Sequence, residues 1–267
     1  EPLQKLRSNL YIAMFDSLKD IGYEDLIVPL EEIRRILIEK YQGLYLKDLE
    51  RFIDKVKIFK VHFATIDIRQ DHSMHTKVIV DVLKKKELIK DNLSELSKER
   101  LIDILLHENF QLEPNDYEEE IVKDTIKNIL QLQTIQDKNG EEGCNRYIIS
   151  NSEDIFSILF VYALFRWCGW ADKKITFDIV PLFETMKGMD SAQDTMRFMF
   201  NLPEYRLHVQ NRNNKQTIML GFSDGTKDGG YLKANWSILK TKEELSAVCD
   251  ENDIAAIFFD GRGGPPA

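Results

Sequence analysis

Charged residues stand at or beside the ends of four short apolar segments in this 267-residue chain. Asp67 and Arg69 close VHFATIDIR, Glu184 follows ITFDIVPLF, Asp224 and Lys227 follow QTIMLGF, and Asp260 and Arg262 follow IAAIFF. The carboxylates offer oxygen to a hard divalent cation, and the cations offer point charge or a planar fork to an anion. One carboxylate beside a strand is ordinarily a turn residue or a helix cap. Four strand ends furnished this way point instead to a site, because loops converge at the carboxyl ends of parallel strands.

GFSDGTKDGG (221–230) is rich in glycine but is no Walker A loop. That loop needs Gly before its Lys and Ser or Thr after it, whereas Thr226 precedes Lys227 and Asp228 follows. What remains is a turn whose backbone amides can approach a ligand, with Asp224 open to a hard cation and Lys227 to an anion. GRGG (261–264) offers a similar approach together with a guanidinium fork. His72 and His75 are spaced like half a metal site, yet no third ligand is placed, so they read as a helical start satisfied by neighbours. His62, His107 and His208 are isolated and form no triad. Cys144, Cys168 and Cys249 are odd in number and lack CxxC spacing, which suggests buried reduced thiols. Trp167, Trp170 and Trp236 read as core or helix-packing aromatics.

The elements that must position these groups alternate in type. Helical periodicity recurs near 3–19, 29–41, 45–58, 95–107 and 117–136, with the acids of 116–120 meeting a helix start. Strand-like segments cover 61–69, 146–150, 175–183, 216–222 and 254–259, each followed by a helical pattern. After the second, Ser150 and Glu153 have capping-box spacing, and the helix that follows is apolar nearly all round, hence buried. This is βα repetition around a parallel sheet. No Pro/Gly/Ser-rich linker or repeat divides the chain, so it reads as one continuous piece, mainly helical over 1–60 and βα-repetitive over 61–267.

Composition excludes some classes. A formal net charge of −9 without a basic stripe argues against nucleic acid as a partner. The longest nearly apolar run, Ile155 to Phe165, is 11 residues and too short for a bilayer, which needs about 20. The first 20 residues carry charges throughout and lack a signal-peptide core, so the cytoplasm is the expected location.

IDIRQDH (66–72), YIISNSEDIFSILF (147–160), VPLFETM (180–186), IMLGFSDGTKDGG (218–230) and FFDGRGG (258–264) resemble, in order and spacing, the phosphoenolpyruvate carboxylase family. NLPEYR (201–206) and YLKANWSILKTKEEL (231–245) extend the resemblance over nearly the whole chain. It implies an internal fragment of the catalytic barrel, that is, a partial (β/α) TIM-type barrel with many additional helices. The implied parent is a carboxy-lyase, commonly a homotetramer, that forms oxaloacetate and phosphate from phosphoenolpyruvate and bicarbonate with Mg2+ or Mn2+. On matching positions the resemblance makes Glu184 and Asp224 metal ligands, Lys227 an active-site cation near bicarbonate or carboxyphosphate, and Arg69 and Arg262 holders of the phosphoryl group.

There are departures. The family usually reads GYSDS and FHGRGG where this chain has Phe222, Gly225 and Asp260. Asp260 puts a carboxylate beside a phosphate-binding arginine, so it should be turned away or paired with a cation. The TAHPTE-type motif with the family's catalytic histidine is absent, as is the glycine-rich arginine motif that normally follows GRGG. The site is therefore expected to be partial and the fragment alone inactive. Two alternatives are another metal-dependent phosphoenolpyruvate-using barrel enzyme and a non-catalytic scaffold or regulatory homologue.

Overall fold

A computed structural model of the chain describes residues 2–15, 21–170, 174–221 and 230–261. They form two compact units. The first comprises the residues through Ile66 together with Leu132–Asn145, and the second comprises Asp67–Gln131 together with the residues from Arg146 onward.

In the first unit, helices α1 (Pro2–Phe15), α2 (Tyr23–Tyr41) and α3 (Leu46–Phe59) bury a small core of Leu6, Ile27, Leu30, Ile53 and Val56. Helix α2 ends on Gln42 with φ 51°, and Gly43 follows with φ 78°, a left-handed pair that turns the chain into α3. Arg34 to Glu50 and Lys57 to Glu31 then tie the two helices across their exposed edge.

The second unit is helix-rich α/β. Strands β1 (Asp67–Asp71), β2 (Arg146–Ser150), β3 (Asp178–Phe183), β4 (Lys215–Gly221) and β5 (Ala255–Gly261) pair in parallel, in the order of the chain. Helices fill each connection: α4 (His72–Lys85), α5 (Lys98–His107) and α6 (Glu120–Asn139), whose residues from Leu132 onward belong to the first unit, before β2, and α7 (Ile155–Phe165) before β3. Helices α8 (Met186–Asn201) and α9 (Pro203–Asn211) precede β4, and α10 (Tyr231–Glu251) precedes β5. Sequential order lacks the reversal that marks a doubly wound sheet. Strands β2, β3 and β4 are nearly continuously buried, as expected of parallel strands covered on their faces, while β1 and β5 are half exposed.

Registered neighbours face the same way, so one face carries Arg69, Ile148 and Val180 in a row, with Leu182, Met219 and Phe259 in another. The opposite face meets the helices. Helix α7 is buried along almost its whole length against α4, α5, α8 and β3, as its all-round apolarity requires. Behind it, Phe165 lies 5.4 Å from Tyr147, 5.0 Å from Trp170 and 5.4 Å from Phe177. The three cysteines are buried and in no disulfide, and burial pushes the Cys168 thiol up to about 12.

Three expectations change. The first strand begins at Asp67 rather than Val61, because Lys60 (φ 45°) and Phe63 (φ 63°) take left-handed backbone and Ala64 N–H bonds back to the His62 carbonyl. Helix α7 is capped by Asp154, which accepts from Phe156 N at 2.8 Å, so Ser150 and Glu153 form no capping box. Trp167 and Trp170 are buried, whereas Trp236 is 67% exposed on α10.

His75 and His208 are buried, and burial pushes both imidazoles down to about 3. His75 Nε2 shares a hydrogen bond with Tyr147 Oη at 2.9 Å, while its Nδ1 and that of His208 have no partner among the described residues. Each ring is neutral when folded but takes up a proton near pH 6.5 when unfolded. The stability contributed is fully present above about pH 6.5 and is lost steadily as pH falls towards about 3, at roughly 1 kcal/mol per pH unit for each ring. Urea unfolding at pH 6.0, 5.5 and 5.0 is expected to give a smaller slope for His75→Gln by about that amount. Equal slopes would show that His75 is not held neutral.

Candidate functional site

The carboxyl ends of β1, β2 and β3 bring together a tied set of polar groups. Glu184, directly after β3, is only 6% exposed. A carboxylate so buried is costly unless its oxygens are engaged. Its Oε1 accepts the backbone N–H of Asn151 at 2.9 Å, and its Oε2 lies 3.4 Å from Arg69 Nη2. Arg69 comes from the middle of β1 and is half exposed, so this long contact is worth under about 1 kcal/mol and leaves the guanidinium available. The strand end therefore presents an anchored carboxylate with a half-exposed fork beside it.

Asn151 follows β2 with φ 56°, a left-handed value that asparagine tolerates better than other non-glycine residues. Its side-chain amide donates to Asp71 Oδ2 at 2.5 Å. Asp71 ends β1 and caps α4 by accepting from Ser73 N at 2.8 Å. Burial acts to raise the Asp71 carboxyl, but the bonds from Ser73 and Asn151 outweigh it and hold the group below its ordinary value. Ser152 N–H then reaches the Leu182 carbonyl at 3.1 Å, fastening this turn to β3.

Gly221 ends β4 beside Glu184. A Cβ there would stand 2.3 Å from Glu184 Cβ and 3.4 Å from Oε2, so the missing side chain is what lets β4 approach the carboxylate. Gly221→Ala is expected to destabilise the fold by about 1–3 kcal/mol through overpacking, read by urea unfolding. Unchanged stability would mean that β4 and Glu184 do not pack this closely.

The sequence expectations divide accordingly. Glu184 and Arg69 meet. Asp224, Lys227 and Arg262 lie outside the described residues. Asp67 does not belong to the site: it begins β1 and pairs with Arg146 at 2.8 Å, at the opposite end of the sheet. Asp260 lies in register with Leu220 on the helix-facing side of β5 and pairs with Lys242 of α10 at 2.6 Å. It is both turned away and matched by a cation. Asn151, Asp71 and Gly221 were not singled out, although an asparagine just after a strand and a glycine at a strand's end were the signals available.

Among the described residues no three His, Cys, Asp or Glu side chains gather as a metal cluster. The His72 ring stacks on Phe160 at 5.7 Å, and His75 Nε2 is engaged by Tyr147 Oη at 2.9 Å. A divalent cation held by two carboxylates and other oxygens is compatible with Glu184, a hard donor whose Oε2 faces the end of β4. Among the described residues no helix is long and apolar enough to cross a membrane.

Sequential parallel strands between helices define an α/β protein, with a buried carboxylate paired to an arginine where three of the strands end. The family model described as phosphoenolpyruvate carboxylase matches residues 15–265, and the chain belongs to that family.

Proposed function

We infer that this chain is one piece of a larger phosphoenolpyruvate carboxylase, carrying part of its barrel and of the site that forms oxaloacetate and phosphate from phosphoenolpyruvate and bicarbonate. The observation that carries this reading is Glu184, a buried carboxylate held from one side and approached by Arg69 at the end of β3, in a chain of this family. Five parallel strands in sequential order support an arc of a (β/α) barrel.

Glu184 and Asp224 would hold Mg2+ or Mn2+, which when bound supplies positive charge for the enolate of pyruvate. Arg69 and Arg262 grip the phosphoryl group with planar forks, orienting phosphorus for attack by bicarbonate. Lys227 offers a compact ammonium to the carboxyphosphate that results and to the carbon dioxide and phosphate it yields. The enolate then captures the carbon dioxide. Asp260 leaves this chemistry undisturbed because Lys242 neutralises it on the far face of β5.

The retained Glu184 and Arg69 argue against a scaffold that has lost its chemistry. A coupled oxaloacetate assay with Mn2+, bicarbonate and phosphoenolpyruvate tests the proposal on both the parent protein and this chain. The parent is expected to need bicarbonate for oxaloacetate formation, which separates it from other phosphoenolpyruvate-using barrels. The 267-residue chain is expected to show no turnover, because groups that act as a unit lose their effect together. Bicarbonate-independent product from the parent, or turnover by the chain that disappears in Lys227→Ala, would overturn the assignment.

A further inference from the structure

We propose that Asn151 is a positioning residue for Glu184, its backbone selecting which carboxylate oxygen is left for a divalent cation. The proposal rests on the reading of Glu184 as a metal ligand. Two independent features meet at Asn151. Its N–H donates to Glu184 Oε1 at 2.9 Å, and its left-handed φ of 56° lets the chain turn from that peptide to Ser152, whose N–H is held by the Leu182 carbonyl. Its side-chain amide is tied outward to Asp71 Oδ2 at the end of β1.

The consequence lies in the carboxylate. With β2 holding the chain on one side and the bond from Ser152 N–H to the Leu182 carbonyl holding it on the other, an extended residue at position 151 fits only if the 150–151 peptide rotates, and Oε1 would then lose its backbone donor. With Oε1 fixed, the other oxygen, Oε2, is directed to the side where β4 ends at Gly221, the residue that opens the GFSDGTKDGG loop. Arg69 Nη2 touches that same oxygen at 3.4 Å, so Oε2 is also the one a cation can reach by displacing a weak, half-exposed partner. Ligands oriented by outer hydrogen bonds bind metal more tightly, because less ordering is left for the binding step.

Backbone and side-chain contributions separate by substitution. Asn151→Gly keeps access to the left-handed region while discarding the tie to Asp71. Asn151→Val makes that region costly, because a β-branched residue there is an outlier. Mn2+ is titrated into the 267-residue chain and into each variant, with electron paramagnetic resonance reporting free ion and the spectrum of bound ion. Circular dichroism and urea midpoints report folding.

Asn151→Gly is expected to bind within about 3-fold of the unaltered chain, and Asn151→Val to bind about 10–100-fold more weakly with an altered bound-ion spectrum. If Asn151→Val fails to fold, Asn151→Ala takes its place, with a loss between the two. Binding by Asn151→Val, or by Asn151→Ala in its place, that matches the unaltered chain would overturn the proposal, as would equal weakening in Asn151→Gly. Glu184→Gln in the same titration keeps the two ideas apart. Unchanged Mn2+ binding in Glu184→Gln removes the metal assignment itself and the proposal with it. A loss confined to Glu184→Gln leaves that assignment standing and removes only the role of Asn151.

Discussion

Glu184→Gln and Asp224→Asn are each expected to lower oxaloacetate formation by the parent protein about 10²–10³-fold, the cost typical of removing one electrostatic stabiliser of a developing anion. Both changes preserve side-chain size and remove a charge, so the loss reports on cation binding rather than on packing. At Glu184 the distinction is sharp. The Asn151 N–H can still donate to an amide oxygen at the Oε1 position, so the turn after β2 should survive the substitution. Excess Mn2+ should recover part of the activity, because a weakened site fills by mass action. Full activity at ordinary metal concentration in both variants would remove the metal assignment.

The second large effect concerns the anion. Arg262→Lys and Arg69→Lys are expected to raise the phosphoenolpyruvate KM of the parent about 10–100-fold, with kcat changed less. A point charge replaces a fork, and the lost charge-assisted hydrogen bond is worth about 1.5–3 kcal/mol. Arg69→Lys has a second consequence. The shorter-reaching ammonium no longer spans from the middle of β1 to Glu184 Oε2, where the guanidinium now sits at 3.4 Å, so metal affinity should not fall in this variant. Steady-state kinetics at saturating bicarbonate check both statements, and an unchanged KM in either variant would remove that arginine from the phosphoryl grip.

Much of this arrangement was legible before any coordinates. Glu184 and Arg69 could be placed in one cleft from the sequence because both stand at or beside the carboxyl ends of strand patterns, though their direct contact was not foreseen. The buried helix after β2 was equally legible, since an all-round apolar segment has only one stable place. The errors have physical causes. Residues 61–66 contain the apolar and β-branched types of a strand, but composition does not reveal the left-handed backbone at Lys60 and Phe63, and that shift carried Asp67 to the wrong end of β1. Asn151 escaped because its contribution is a backbone N–H, which every non-proline residue possesses and only the folded path of the chain can aim. Trp236 was read as a core or helix-packing aromatic from its residue type, yet it is 67% exposed, and its helical-spacing neighbours Leu232 and Leu239 are 83% and 51% exposed. A stripe of that kind records amphipathicity and not which surface, if any, covers it.

The central claim is that Glu184 and Asp224 together hold one divalent cation at the carboxyl end of the sheet. Crystals of the chain soaked in Mn2+, with anomalous scattering collected to locate the ion, test it most directly. A single strong peak is expected in coordinating contact with Glu184 Oε2 and a carboxylate oxygen of Asp224. A Mn2+ peak elsewhere on the chain, with Glu184 still bound only to Asn151 and Arg69, would contradict it.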